Sequence, residues 1–161
     1  MRYRLRQKLL SLGDDYTIQD AEGNDVYYVD GRALSIGDKL SLQDMDGNEL
    51  AYISQKLLSL HKTYRIYREG ELFAEIKKHW TLFRDKLTVD VPGPNDYEVR
   101  GSFLDREYAF TRGGQPVAQV SRSMFSFRDS YGVDVVPGED DVTILATAIV
   151  IDQILDDQDD D

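Results

Sequence analysis

The run DDVTILATAIVIDQIL, residues 140–155, carries apolar side chains on every face a helix could offer. Val142, Leu145, Ala146, Ala148 and Ile149, with Ile144, Val150 and Ile151, leave no polar stripe, and only Thr143, Thr147, Asp152 and Gln153 interrupt them. A helix that is apolar all round is either enclosed by protein or spans a membrane. Sixteen residues rise about 24 Å, short of the roughly 20 apolar residues a bilayer core requires. No transmembrane segment is therefore expected, and the remainder of the chain has to supply a tube of matching length.

The remainder is repetitive. QKLLSL occurs at 7–12 and again at 55–60. Downstream, YTIQDAEGNDVYYV (16–29) aligns with YRIYREGELFAEI (64–76) once one turn residue is dropped, and YAFTRGGQPVAQV (108–120) aligns with the second copy without a gap. Alternating apolar residues on both sides of a Gly-containing turn spell a β-hairpin. Each hairpin leads into a further alternating run, SIGDKLSL, LFRDKLTVDVPG or SFRDSYGVDVVPG, and then a turn. The unit is four strands repeated three times, with strands expected at 2–12, 15–20, 25–30, 38–44, 49–60, 63–68, 72–78, 84–91, 96–104, 107–112, 116–122 and 125–135.

Short connections make neighbours antiparallel, and a twisted sheet of twelve strands closes to abolish its edges. A twelve-strand barrel is too wide for its wall side chains to fill. Seven-residue strands at ~3.3 Å per residue give a tube about as long as the 140–155 helix, so the helix is expected to plug it. The expectation is a mainly β protein: one domain over 1–155, a closed twelve-stranded antiparallel barrel around a hydrophobic C-terminal helix. An acidic disordered tail, 156–161, is expected to leave the helix axis, because Asp is unfavourable at a helix C-terminus.

The stretches KLLSLGDDYTIQDAEGNDVYYVDGRALS, KLLSLHKTYRIYREGELFAEI, FRDKLTVDVPGPNDYEV and SFRDSYGVDVVPGEDDVTILATAIVIDQIL resemble the LURP-one-related family, similar in fold to the tubby C-terminal domain and the phospholipid scramblases. The resemblance covers about residues 5–155 and implies the same barrel around a hydrophobic helix. Tubby-like domains bind phosphoinositides and scramblases act on lipids, so a lipid ligand here is an analogy of fold. No position aligns residue by residue with a tubby phosphoinositide pocket.

Composition narrows the function classes. Without cysteine there are no disulfides, thiolate metal sites or cysteine nucleophiles, and a cytoplasmic location, peripheral to a membrane if lipid is the ligand, is the natural expectation. The net charge of −11 disfavours nucleic acid, and no specific nucleic-acid partner is expected. Asp outnumbers Glu 22 to 8, a bias that would suit a high-salt proteome. His61 and His79 sit beside no triad or metal arrangement, and no catalytic residue, metal or cofactor is expected. DMDGNE (44–49) resembles the start of a calcium loop but lies where a hairpin turn belongs. Arg84-Asp85 and Arg128-Asp129 recur as architecture, through a bulge or local ion pairs.

Charge separates the two barrel ends. One rim gathers carboxylates, Glu139, Asp140 and Asp141 among them, against only Arg68 and Arg112. The other gathers Arg32, Lys62, Lys77, Lys78, Arg106 and Arg122 with both histidines, against Asp14, Asp15, Asp105 and Glu107. Arg32, Lys77, Lys78, His79, Trp80 and Arg122 are therefore the candidate ligand-binding set. The expected function is a non-enzymatic binding module for an anionic lipid head group or another acidic ligand; the alternative is a protein-interaction scaffold. The sequence leaves the oligomeric state open.

Overall fold

In β6 (Thr63–Arg68), Tyr64 and Ile66 are buried while Arg65 and Tyr67 are half-exposed, the period-2 pattern of a strand with one face on a core. The computed structural model describes residues 1–6, 15–31, 39–56, 62–79, 81–82, 84–94, 96–125 and 129–159, and the same logic runs through it. The other strands are β1 (Arg2–Arg6), β2 (Tyr16–Asp20), β3 (Asp25–Asp30), β4 (Lys39–Asp44), β5 (Glu49–Lys56), β7 (Glu71–His79), β8 (Asp85–Asp90), β9 (Tyr97–Ser102), β10 (Glu107–Arg112), β11 (Gln115–Ser121) and β12 (Ser130–Val135). Each pairs antiparallel with its chain neighbours, and β1 also pairs with β12, with Leu5 opposite Tyr131. That closes the barrel and leaves no sheet edge.

The internal repeat is visible in its irregularities. A register shift follows Ile18 in β2, Ile66 in β6 and Phe110 in β10, the same place in three units. The β6–β7 turn places Glu69 and Gly70 at φ 52° and 78°, and the β10–β11 turn places Gly113 and Gly114 at 57° and 80°. Both central residues at positive φ match the twist of the flanking strands. The first unit has one more residue here, and Asp20 closes the longer turn by accepting the backbone N–H groups of Glu22 and Asn24. Asp44 does the same for Asp46 and Asn48, so this carboxylate of the calcium-like stretch serves its own turn.

Helix α1 (Asp141–Asp159) fills the tube. Leu145, Ala146, Ala148 and Ile149 are fully buried against the inward residues of the wall, and Val142 is half-buried near the opening. Thr143 and Thr147 satisfy their hydroxyls on the Asp140 carboxylate and the Thr143 carbonyl. Asp140 also accepts the Thr143 N–H, capping the helix.

Two expectations need correction. The last strand begins at Ser130 rather than 125, because Arg122–Met124 form a 3-10 turn capped by the Ser121 side chain. The helix does not stop at 155 with a tail leaving its axis: the backbone stays helical through Asp156, Asp157 and Gln158 to Asp159. Extending a formed helix costs only tenths of a kcal/mol per residue, and the dipole penalty at each Asp, about 0.3–1 kcal/mol, is confined to the last turn. The expected strand portions at 7–12 and 57–60 lie outside the described residues.

Candidate functional site

The helix enters at the carboxylate rim through three consecutive acidic residues, and each one meets a different part of the wall. Glu139 is 2.8 Å from the Arg112 guanidinium at the end of β10 and accepts from the Tyr97 hydroxyl at 3.3 Å. Asp140 is 2.7 Å from Arg68 at the end of β6. Asp141 accepts from the Tyr3 hydroxyl on β1. Around the barrel these strands stand three, four and five steps apart, so the opening is clamped from nearly opposite sides. Burial, then the Glu139 charge, pushes the Tyr97 hydroxyl up to about 12, and burial with the Asp141 bond raises Tyr3 further. Arg68 and Arg112 are thus committed to holding the plug, while the Met1 amino group and Arg2 at the same rim pair with Asp134.

The opposite rim differs from expectation in one of its cations. Arg106, in the β9–β10 turn, is only 5 % exposed and points into the protein. Its Nε and Nη2 both lie 2.9 Å from Asp152 Oδ1, and the Tyr131 hydroxyl donates to Asp152 Oδ2. Arg106 is therefore no part of a surface cation patch, and Asp152 is the plug's inner anchor rather than a stray polar interruption.

Among the described residues, the four members of the candidate ligand set, Lys77, Lys78, His79 and Arg122, line no common pocket. Lys77 faces outward on β7, 3.4 Å from Glu75. Lys78 stands opposite Leu87 in the ladder, on the other face of the strand. His79 Nε2 pairs with Thr88 Oγ1 at 2.8 Å. Arg122 lies on the β11–β12 connection, donating through Nη2 to the Leu104 carbonyl and through its N–H to Glu107. Arg32 and Trp80 lie outside the described residues, as do His61 and Arg128.

This rim does hold an open cleft of about 520 Å³, lined by Thr81, Leu82, Arg84, Asp85, Gly101, Ser102 and Glu107. Its carboxylates have internal work: Asp85 accepts the Phe103 N–H at 2.9 Å, and Glu107 accepts from the Ser121 hydroxyl at 2.8 Å. Asp85 is thus architectural through a backbone bond rather than through Arg84. Gly101 is required where β9 passes β10, since a Cβ there would lie 2.4 Å from the Glu107 carbonyl oxygen. Leu82 and Leu104 flank the cleft at 92 % and 66 % exposure.

A model of the LURP-one-related family matches residues 1–152. The chain belongs to the LURP-one-related family. It is 32 % identical over 151 residues to the uncharacterized protein YxjI of Bacillus subtilis (strain 168), covering 94 % of this chain and 91 % of the relative. A solved X-ray structure of an Arabidopsis thaliana protein superposes with a TM-score of 0.70 at 19 % identity, over 95 % of this chain and 91 % of that one. This structural likeness shows the shared fold. Among the described residues no helix is long and apolar enough to cross a membrane, and no group of three His, Asp or Glu side chains is arranged to hold a metal ion.

Sequence reasoning missed the plug's anchors at both ends. The signal was present in each case. A lone carboxylate in an otherwise apolar buried helix requires a buried cation. Arg68 and Arg112 occupy the same position in two repeats, directly across the rim from an acidic triplet.

Proposed function

We propose that this member of the family is a non-enzymatic binding module that associates with an anionic lipid surface through the rim opposite the helix entrance. The observation that carries the reading is the pairing of exposed leucines with cations. Leu82 and Leu104 stand 92 % and 66 % exposed beside Arg84 and Arg122, with Lys78 and Lys77 at the end of the neighbouring β7. Apolar side chains that enter the acyl boundary, ringed by cations that meet head groups, are the requirements of a peripheral membrane contact. The packed interior supports the same conclusion: α1 occupies the barrel, so a ligand of this protein binds outside it.

Sedimentation with phosphatidylserine vesicles, against phosphatidylcholine vesicles, tests the proposal. Binding is expected to phosphatidylserine at low salt, to weaken as salt rises, and to fall about tenfold or more in Leu82→Glu and Leu104→Glu. Equal binding to both vesicle types, or none to either, would remove the reading. If the Asp excess reflects salt adaptation, the melting temperature should also climb from low salt to concentrated potassium chloride; a flat response would make the composition incidental.

A further inference from the structure

The threefold repeat allows one outward position to be compared three times within one molecule. Gln19, Tyr67 and Thr111 each follow the shared register shift, and each has one cross-strand partner on either side. In the first unit the row is Arg4, Gln19 and Asp25, closed on itself by hydrogen bonds from Arg4 to Gln19 and from Gln19 to Asp25. In the third it is Glu98, Thr111 and Pro116, with Glu98 engaged by Arg100 and Lys86. In the second it is Tyr52, Tyr67 and Leu72. The tyrosine rings lie 6.3 Å apart and Leu72 is 54 % exposed.

Wall packing does not call for this apolar row, because the first unit builds the same position from Arg4, Gln19 and Asp25, and the third from Glu98 and Thr111 with only Pro116 apolar. The charge around it is one-sided. Arg65 is committed to Glu75 at 3.5 Å, and Arg68 to Asp140 and to the face of Phe73. Glu69 and Glu71, in the adjoining turn and strand start, remain exposed, as does Asp46 beside the exposed Met45 of the next hairpin.

We propose that the Tyr52–Tyr67–Leu72 row is a docking surface for a cationic, amphipathic segment of a protein partner. Its apolar side chains would cover Leu72 and the tyrosine faces, and its Arg or Lys groups would meet Glu69, Glu71 and Asp46. An anionic lipid surface does not fit here, because those carboxylates repel it. A second copy fits poorly, since the whole chain carries −11 and would set acidic patch against acidic chain.

The test uses the full chain and two short synthetic peptides followed by amide chemical shifts: one alternates Arg with Leu, the other Lys with Ser. The Arg-Leu peptide is expected to shift Tyr52, Tyr67 and Leu72 and to bind more tightly than the Lys-Ser peptide. Tyr67→Thr and Leu72→Asp install the residue types of the third and first units, and each should weaken the Arg-Leu peptide about tenfold, while the Lys-Ser peptide is unchanged by Tyr67→Thr and not weakened by Leu72→Asp, whose added carboxylate favours a cation. If either variant folds poorly, Glu71→Lys, at an exposed strand start, decides the point by the same loss. Shifts spread evenly over the three units, unchanged affinity in the variants, or self-association of the peptide-free protein that Leu72→Asp abolishes would each overturn the proposal.

Discussion

The two ends of α1 are held by opposite strategies. At the entrance three carboxylates share the work among Arg112, Arg68 and Tyr3, and the two guanidiniums are 39 % and 32 % exposed. At the inner end one carboxylate, Asp152, takes Arg106 and Tyr131 in near-complete burial, with side-chain exposures of 6 % for Arg106 and 1 % for Asp152. Water screens the first arrangement, so each ion pair there is worth about 0–1 kcal/mol. The second is desolvated, and removing one partner strands a charge at a cost of about 3–5 kcal/mol. The entrance thus guides the helix with redundant, individually dispensable contacts, whereas the inner end permits one insertion depth.

The largest effect tests whether the middle of the helix is as enclosed as both ends require. Ala148 has no exposed surface. Ala148→Asp puts a carboxylate there with no designed partner, a penalty of several kcal/mol against a total stability of about 5–15 kcal/mol. The variant should fail to fold, visible as loss of the cooperative transition in circular dichroism. A soluble variant melting like the parent would remove the helix from the core.

Next in size is the inner anchor. Asp152→Ala and Arg106→Ala should each cost about 3–5 kcal/mol in urea denaturation, while the combined Arg106→Met, Asp152→Leu protein should recover most of the loss, since no charge is left unpaired. Equal losses in the single and combined variants would mean that shape, not charge, sets the cost. The entrance should behave differently: Arg68→Ala and Arg112→Ala are expected to cost at most about 1 kcal/mol each, falling as salt rises. A loss from either one as large as that of Asp152→Ala would erase the contrast between the ends.

That contrast also explains which parts of the structure were readable beforehand. The strands at 63–68 and 107–112 were expected with the bounds the structure shows, because alternation there is uninterrupted and a glycine turn follows immediately. The plug was readable because an all-round apolar helix has few places to go. The rim was not. Arg106 reads as a surface cation because it sits in a turn, and only the fold shows that the turn aims it at Asp152. Lys77 and Lys78 read as a pair because they are adjacent in sequence, although adjacent strand residues face opposite sides of a sheet. The exposed Leu82 and Leu104 carry no local signal, since burial is decided by neighbours contributed from other strands.

The smallest effect at neutral pH belongs to Tyr108, which lies beside the inner anchor yet takes no part in it. Its hydroxyl is buried and has no hydrogen-bond partner among the described residues. Removing an unsatisfied polar atom leaves no partner stranded, so Tyr108→Phe should be neutral or stabilising by up to about 1 kcal/mol at pH 7. Tyr3→Phe, at the entrance, should instead cost about 1 kcal/mol, because it leaves the Asp141 carboxylate one donor short. Alkali should widen the gap between the parent and the Tyr108→Phe variant. Burial foremost, then the Asp152 charge, raises the Tyr108 hydroxyl well above its ordinary value of 10. The folded protein keeps that proton where the unfolded chain releases it. Stability is therefore fully present below pH 10 and falls as pH climbs above it, by about 1.4 kcal/mol per pH unit for each such group. Tyr97, raised to about 12, adds to the fall between those two values. Denaturation midpoints at pH 7 and pH 11 should show the Phe variant losing less than the parent over this interval. An identical loss in both would mean that the Tyr108 hydroxyl is hydrated in solution, and that the barrel's inner end is wetter than the burial of Asp152 implies.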